Sequence, residues 1–145
     1  MVFDDFMSAT NISASGMSAE RLRLEVVANN IANAFTTRTP QGGPFRRQDV
    51  VFAAILNDQV RGGRQRGPLG GVQAVEVADD PSELPRVYNP GHPDADASGY
   101  VTMPNVQLPV EMVNLMTASR AYEANLKVLQ AFRSQVEQAL SLLRS

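Results

Sequence analysis

The 145-residue chain has no cysteine, no tryptophan and one histidine. Without cysteine there is no disulfide, no thiolate nucleophile and no sulfur-ligated zinc. The lone His92 excludes a histidine-built metal centre and has no second imidazole to work with. Aromatic residues make up only 6% of the chain, which is thin for a compact core of this length. No apolar run approaches the roughly 20 residues that cross a bilayer. The opening Met1-Val2-Phe3-Asp4-Asp5-Phe6 is acidic and lacks the basic start and apolar stretch of a secretory signal. Export from the cytoplasm would therefore need another route. Neither sign of charge dominates, with 13 Lys and Arg against 15 Asp and Glu. That balance argues against a dedicated nucleic-acid binder. P-loops, nucleophile elbows and dinucleotide fingerprints are missing too, so no enzyme is expected.

What is present is a division of the chain by its helix breakers. All nine prolines lie between Pro40 and Pro109, and nine of the ten glycines between Gly42 and Gly99. Proline breaks helices and glycine weakens them. Residues 1–39 and 110–145 are therefore free to form long helices, and residues 40–109 are not. The expected fold is mainly α with a small β-rich insertion. The two terminal helices would pair as an antiparallel coiled coil within one structural unit.

The C-terminal segment carries the clearer period. Leu108, Leu115, Tyr122, Leu129, Val136 and Leu143 recur every seven residues. Met112, Leu126 and Leu140 occupy the position four further on, interrupted by Ser119 and Arg133. Ala118, Phe132 and Ala139 add apolar area three further on. A strict seven-residue repeat predicts a left-handed supercoil with a partner. The N-terminal segment is weaker. Phe3, Met17, Leu24 and Ile31 share one heptad row with Thr10, and Phe6, Val27 and Ala34 share another with Ser13 and Glu20. A helix is expected from about Phe6 to Asn33, with Gly16 the point where it would break. Two helices of this composition bury too little to stand alone. Both ends are expected to order on assembly and to be largely disordered in the free chain.

The middle holds three strand-like runs, Asp49–Leu56, Val72–Val77 and Gly99–Met103. Turn clusters separate them at Gly42-Gly43-Pro44, Gly67–Gly71 and Asn89–Pro93. Several motifs have two readings. Asn29, Asn30 and Asn33 crowd a helix end, either as a fraying terminus or as a polar cluster that fixes register between helices. Asp94-Ala95-Asp96-Ala97-Ser98-Gly99 matches half of a calcium loop, but Asn105 stands where the closing Glu is needed. An Asp-rich turn that caps backbone N–H groups competes with that calcium-dependent module. Arg61-Gly62-Gly63-Arg64-Gln65-Arg66 reads as a basic loop without the aromatics that stack on bases. A helical adaptor that pairs with one foreign coiled coil is the remaining alternative. No cofactor is implied.

Longer stretches bring a family into view. Ser15-Gly16-Met17-Ser18-Ala19, then Val27–Ala34 followed by Thr36-Thr37, resembles the opening helix of the flagellar rod, hook and filament axial proteins. Glu111-Met112-Val113 and Ala118–Asn125 resemble the C-terminal helix of the same family, and Arg38–Arg47 and Asn89–Asp96 with Gly99-Tyr100-Val101 and Pro104-Asn105-Val106 are similar to the proximal-rod members in particular. The resemblance implies a structural subunit of a tubular drive shaft that transmits torque, with both terminal helices in its wall. It implies export by the flagellar type III apparatus without a cleaved signal. The site would be the basal body, in the rod that crosses the periplasm. The partners implied are further copies of itself, the rod proteins FlgB, FlgF and FlgG, and the MS-ring adaptor FliE. Register and subunit contacts would then fall to Asn29, Asn30, Asn33, Arg120, Tyr122 and Asn125. The helical seam would fall to Leu24, Val27, Ile31, Leu108, Met112, Leu115, Leu126, Leu129, Val136 and Leu143.

Overall fold

The computed structural model describes the backbone over residues 2–56 and 69–144, and side chains over residues 7–55 and 70–142. The basic Arg61–Arg66 stretch and the Leu143 side chain lie outside the described residues. Six elements follow in order. They are α1 (Val2–Ala32), β1 (Gln48–Leu56), β2 (Leu69–Asp79), β3 (Arg86–Tyr88), β4 (Tyr100–Thr102) and α2 (Leu108–Arg144). The chain is thus mainly helical, with a small β insertion between its two long helices.

α1 runs through Gly16 without a break. The glycine is used for contact instead. A Cβ there would lie 3.1 Å from the amide nitrogen of Asn125 on α2. Fourteen residues later on α1, from 16 to 30, Asn30 meets Glu111, which lies 14 residues earlier on α2, from 125 to 111. The helices are therefore antiparallel. α2 opens with Pro109 in its first turn, where a missing N–H costs nothing. Glu111 sits in the same turn, where the helix dipole favours a negative charge.

β1 and β2 form a long antiparallel ribbon, with register shifts between Val51 and Phe52 and between Ile55 and Leu56. β3 and β4 form a separate short hairpin. β3 falls outside the three expected runs, because Arg-Val-Tyr between Pro85 and Asn89 is too short for alternation to show.

The ribbon docks on α1 through one close approach. The Ser15 hydroxyl donates to the Ile12 carbonyl (2.7 Å) and accepts from the Val72 N–H (3.1 Å). Gly71 beside it has φ +115°, and a Cβ there would stand 2.2 Å from the Ser15 oxygen. Ser15 thus faces the ribbon while Gly16, one residue on, faces α2. The small side chain of Ser15 and the bare Cα of Gly16 let two elements approach one helix on adjoining sides. Gly71→Ala is expected to lower stability by about 2–3 kcal/mol through strain and overlap. A urea midpoint equal to that of the parent chain would contradict this docking.

Candidate functional site

Among the described residues, two of the three largest fully buried side chains are polar, Asn30 and Glu111. They form the centre of a clamp that joins α1, β1 and α2. Asn30 lies near the end of α1. Its side-chain oxygen accepts from the Gln48 N–H (2.9 Å), and its amide donates to the Gln48 carbonyl (2.8 Å) and to Glu111 Oε2 (3.1 Å). One side-chain amide therefore satisfies both backbone groups of the first residue of β1, as a neighbouring strand would. Glu111 Oε1 accepts from Arg47 Nε at 2.8 Å and from the Asn114 amide at 3.4 Å.

Arg47 extends the clamp into the loops. Its guanidinium also reaches Asp49 (3.3 Å) and Asp80 (3.4 Å), and its N–H donates to Asn105 Oδ1 at 2.8 Å. The Asn105 amide in turn donates to the Ser82 hydroxyl (2.8 Å). Burial works against the Arg47 charge, but the bond and charge of Glu111, with help from Asp49, outweigh it and hold the guanidinium more firmly protonated than usual. The Asp80 carboxyl is held below the ordinary range, first by the Ser82 backbone and side chain and then by Arg47.

A second polar group closes the β3–β4 hairpin. Asp96 Oδ1 accepts from the N–H groups of Ser98 (2.8 Å) and Tyr100 (3.0 Å), and its other oxygen pairs with Arg86. Asp94 accepts from the Thr37 hydroxyl (2.7 Å) and faces Arg38 at 3.8 Å. The Nδ1 of His92 accepts from the Asp94 N–H (3.1 Å). The two aspartates therefore serve different neighbours. Among the described residues no group of three His, Cys, Asp or Glu converges as a metal set.

The Asp96 carboxyl is pulled below the usual range, chiefly by the Tyr100 N–H, against a smaller opposing effect of burial and with further help from Ser98 and Arg86. A depressed folded-state value stabilises fully above the unfolded value, and the gain is lost as pH falls through the folded one. Protection of the Ser98 and Tyr100 amides is therefore expected to hold from pH 7 to 5 and to fail only below about pH 4. NMR exchange rates over that range would check it, and early loss near pH 6 would contradict it.

The structure distributes the sequence-derived residues unevenly. Asn30 is fully buried and bonded within the chain. Asn33 donates back to the carbonyl and side chain of Asn29, both at 3.0 Å, and Asn29 is exposed. Val27 is buried, whereas Leu24 and Ile31 are half-buried. On α2, Leu108, Leu115, Tyr122 and Leu129 are half-buried, and the last two line a shallow groove with Ala14, Met17, Ser18 and Arg21 of α1. The row that meets α1 beside them is Glu111, Ala118 and Asn125. Met112 (57% exposed), Leu126 and Leu140 lie outside that contact, and Val136 is exposed as well. Arg120 is exposed, and Asn125 donates to the Ala121 carbonyl at 3.1 Å. The Arg47–Glu111–Asn30 clamp was not foreseen. Its one sequence signal is an acidic residue in the first turn of a helix, and acids are common there for their own reasons.

Two antiparallel terminal helices, a β insertion between them and a polar clamp that ties the three together make up the described chain. The chain matches the family described as "Flagella basal body rod protein" over residues 11–38, and the "Flagellar basal body rod FlgEFG protein C-terminal" family over residues 97–142. It is 42% identical to the flagellar basal-body rod protein FlgC of Borreliella burgdorferi, over 94% of this chain and 97% of that one. Against FlgC of Bacillus subtilis the figures are 39%, 91% and 94%, and against FlgC of Salmonella typhimurium 42%, 91% and 93%.

This chain therefore belongs to the FlgC family of flagellar basal-body rod proteins. It is a structural rod component of the flagellar basal body, not an enzyme, and it assembles with other basal-body components. No helix among the described residues is long and apolar enough to cross a membrane.

Proposed function

We propose that this chain forms part of the proximal rod and acquires its full rigidity only when neighbours cover its helices. The observation that carries this reading is the gradient of burial along the helix pair. Among the described residues of α2, the buried ones lie at or before Ala118. From Arg133 to Leu142 every residue is exposed, Val136 and Leu140 among them. A two-helix tip of this kind is marginal in water, since most helix stability in proteins comes from packing of an apolar face. The clamp end is the stiff part, and the tip depends on its surroundings.

In this reading Asn29 and Arg120 meet adjacent subunits from exposed positions, Asn33 from a half-buried one, and Tyr122 from its open groove. Asn30 and Asn125 act indirectly, by setting how α1 and α2 lie together. Neighbours would be further copies of the chain, FlgB, FlgF, FlgG and FliE. Passage through the type III export apparatus suits a chain without cysteine and with helices that need not fold beforehand. The rod would then cross the periplasm, with no signal peptide removed. Basal bodies purified from cells lacking this chain are expected to stop short of a complete rod, with motility lost and restored by complementation. Intact rods in those preparations would contradict the proposal.

A further inference from the structure

The chain has no cysteine, so all of its sulfur lies in six methionines. Two of them, Met112 and Met116, stand 57% and 53% exposed in the first turns of α2. They are four residues apart and so share one side of the helix. At 100° per residue that side lies about 140° round from the Glu111, Ala118 and Asn125 row that meets α1. Val110 and Val113, also exposed, complete an apolar patch that is half methionine. Met17 and Met103 differ in being half-buried, and Met7 is exposed on α1.

We propose that Met112 and Met116 form an oxidation-sensitive pair, and that a chain carrying their sulfoxides is barred from the rod. This deepens the rod-subunit reading and rests on it. The reactant is hydrogen peroxide. Each thioether sulfur takes one oxygen atom as the peroxide O–O bond breaks, and the remainder leaves as water. The sulfur is oxidised by two electrons and the peroxide is reduced by two. Oxidation of sulfur follows exposure, which selects these two side chains over Met17 and Met103. A flexible apolar group thereby becomes a polar, chiral one. In the single chain water meets the new oxygen, so the fold is unaffected. Against a rod neighbour the outcome is different. A buried sulfoxide oxygen needs a donor, and Val110 and Val113 supply none. Two such oxygens turn a four-residue apolar patch into a polar one. The covering surface is that of the rod neighbours already proposed for the helices.

Two measurements test this together. In the first, purified chain and purified basal bodies receive the same dilute hydrogen peroxide, and sulfoxides are counted peptide by peptide by mass spectrometry. In the free chain Met112 and Met116 should oxidise as fast as Met7 and several-fold faster than Met17 and Met103. In basal bodies their oxidation should fall by about tenfold. In the second, a chain carrying Met112→Gln and Met116→Gln replaces the native one, its amides standing for the sulfoxides in size and polarity. It should keep the parent urea midpoint, yet fall by about tenfold in basal bodies with motility lost. A Met112→Leu, Met116→Leu chain should enter the rod at the native level. Equal oxidation of the pair in free chain and basal bodies would overturn the proposal, as would a Gln chain that enters normally. A lowered urea midpoint for the Gln chain would place the pair inside the fold and overturn it too. Exclusion of the Leu chain would show that the thioethers matter for shape, not for polarity, with the same consequence. Absence of the native chain itself from basal bodies would remove the rod-subunit reading, and this site with it.

Discussion

Glu111→Ala is expected to lower stability by about 3 kcal/mol and to abolish or sharply reduce motility. The carboxylate is fully buried, yet it is satisfied by Arg47 on one oxygen and Asn30 on the other. Its removal leaves the Asn30 amide short of an acceptor and Arg47 without its shortest partner. The penalty comes less from the lost attraction than from polar groups stranded away from water. Three segments then lose their common anchor, namely the end of α1, the start of β1 and the first turn of α2. Glu111→Gln should fall between the two. It keeps one acceptor but turns the other into a donor facing a donor. The urea midpoint of the folded chain reads this directly, and an unchanged midpoint for Glu111→Ala would contradict the clamp.

Asn30→Ala is the second substitution expected to act strongly, with a loss of about 2–3 kcal/mol. It strands the N–H and carbonyl of Gln48 at once, together with Glu111 Oε2. Asn29→Ala, one residue earlier, should cost less than about 0.5 kcal/mol, because Asn29 is exposed and its one described side-chain bond runs to Asn33. The pair separates two roles that the sequence merges. A double Asn29→Ala, Asn30→Ala chain should be exported yet fail to enter the rod, and the single variants assign the cause. If Asn30→Ala is as stable as the parent chain, its place in the clamp is not energetic. If Asn29→Ala is stable but absent from basal bodies, the exposed asparagine acts between subunits.

The helices and most of the strands were legible in the sequence because their signals are local. All nine prolines and nine of the ten glycines fall within residues 40–109 and mark where long helices cannot run, and α1 ends at Ala32 while α2 begins at Leu108. β1 and β2 alternate over enough residues to show, whereas β3 does not. The pairing side of α2 was harder to read. Heptad analysis ranks positions by apolarity, so it favoured Met112, Leu126 and Leu140. The row that meets α1 includes Glu111 and Asn125, polar residues that packing against Asn30 and Gly16 makes acceptable inside. Gly16 misled for a related reason. Its weak helix propensity is local, and the closeness it grants to α2 is tertiary. The clamp joins residues up to 81 positions apart, beyond the reach of any periodicity. The asparagine cluster was conspicuous by composition, but only the fold shows that one of its members points inward and another outward.

In the proposed reading the chain is held firmly at its clamp and loosely at its helical tip until neighbours arrive. Hydrogen exchange on the free chain at high dilution, followed by mass spectrometry, measures it residue by residue. Slow exchange is expected around Val26–Ala34, Arg47–Val50 and Glu111–Ala118, with rapid exchange from about Arg133 to the end of α2. Slow exchange along the whole of α2 in the dilute monomer would contradict it.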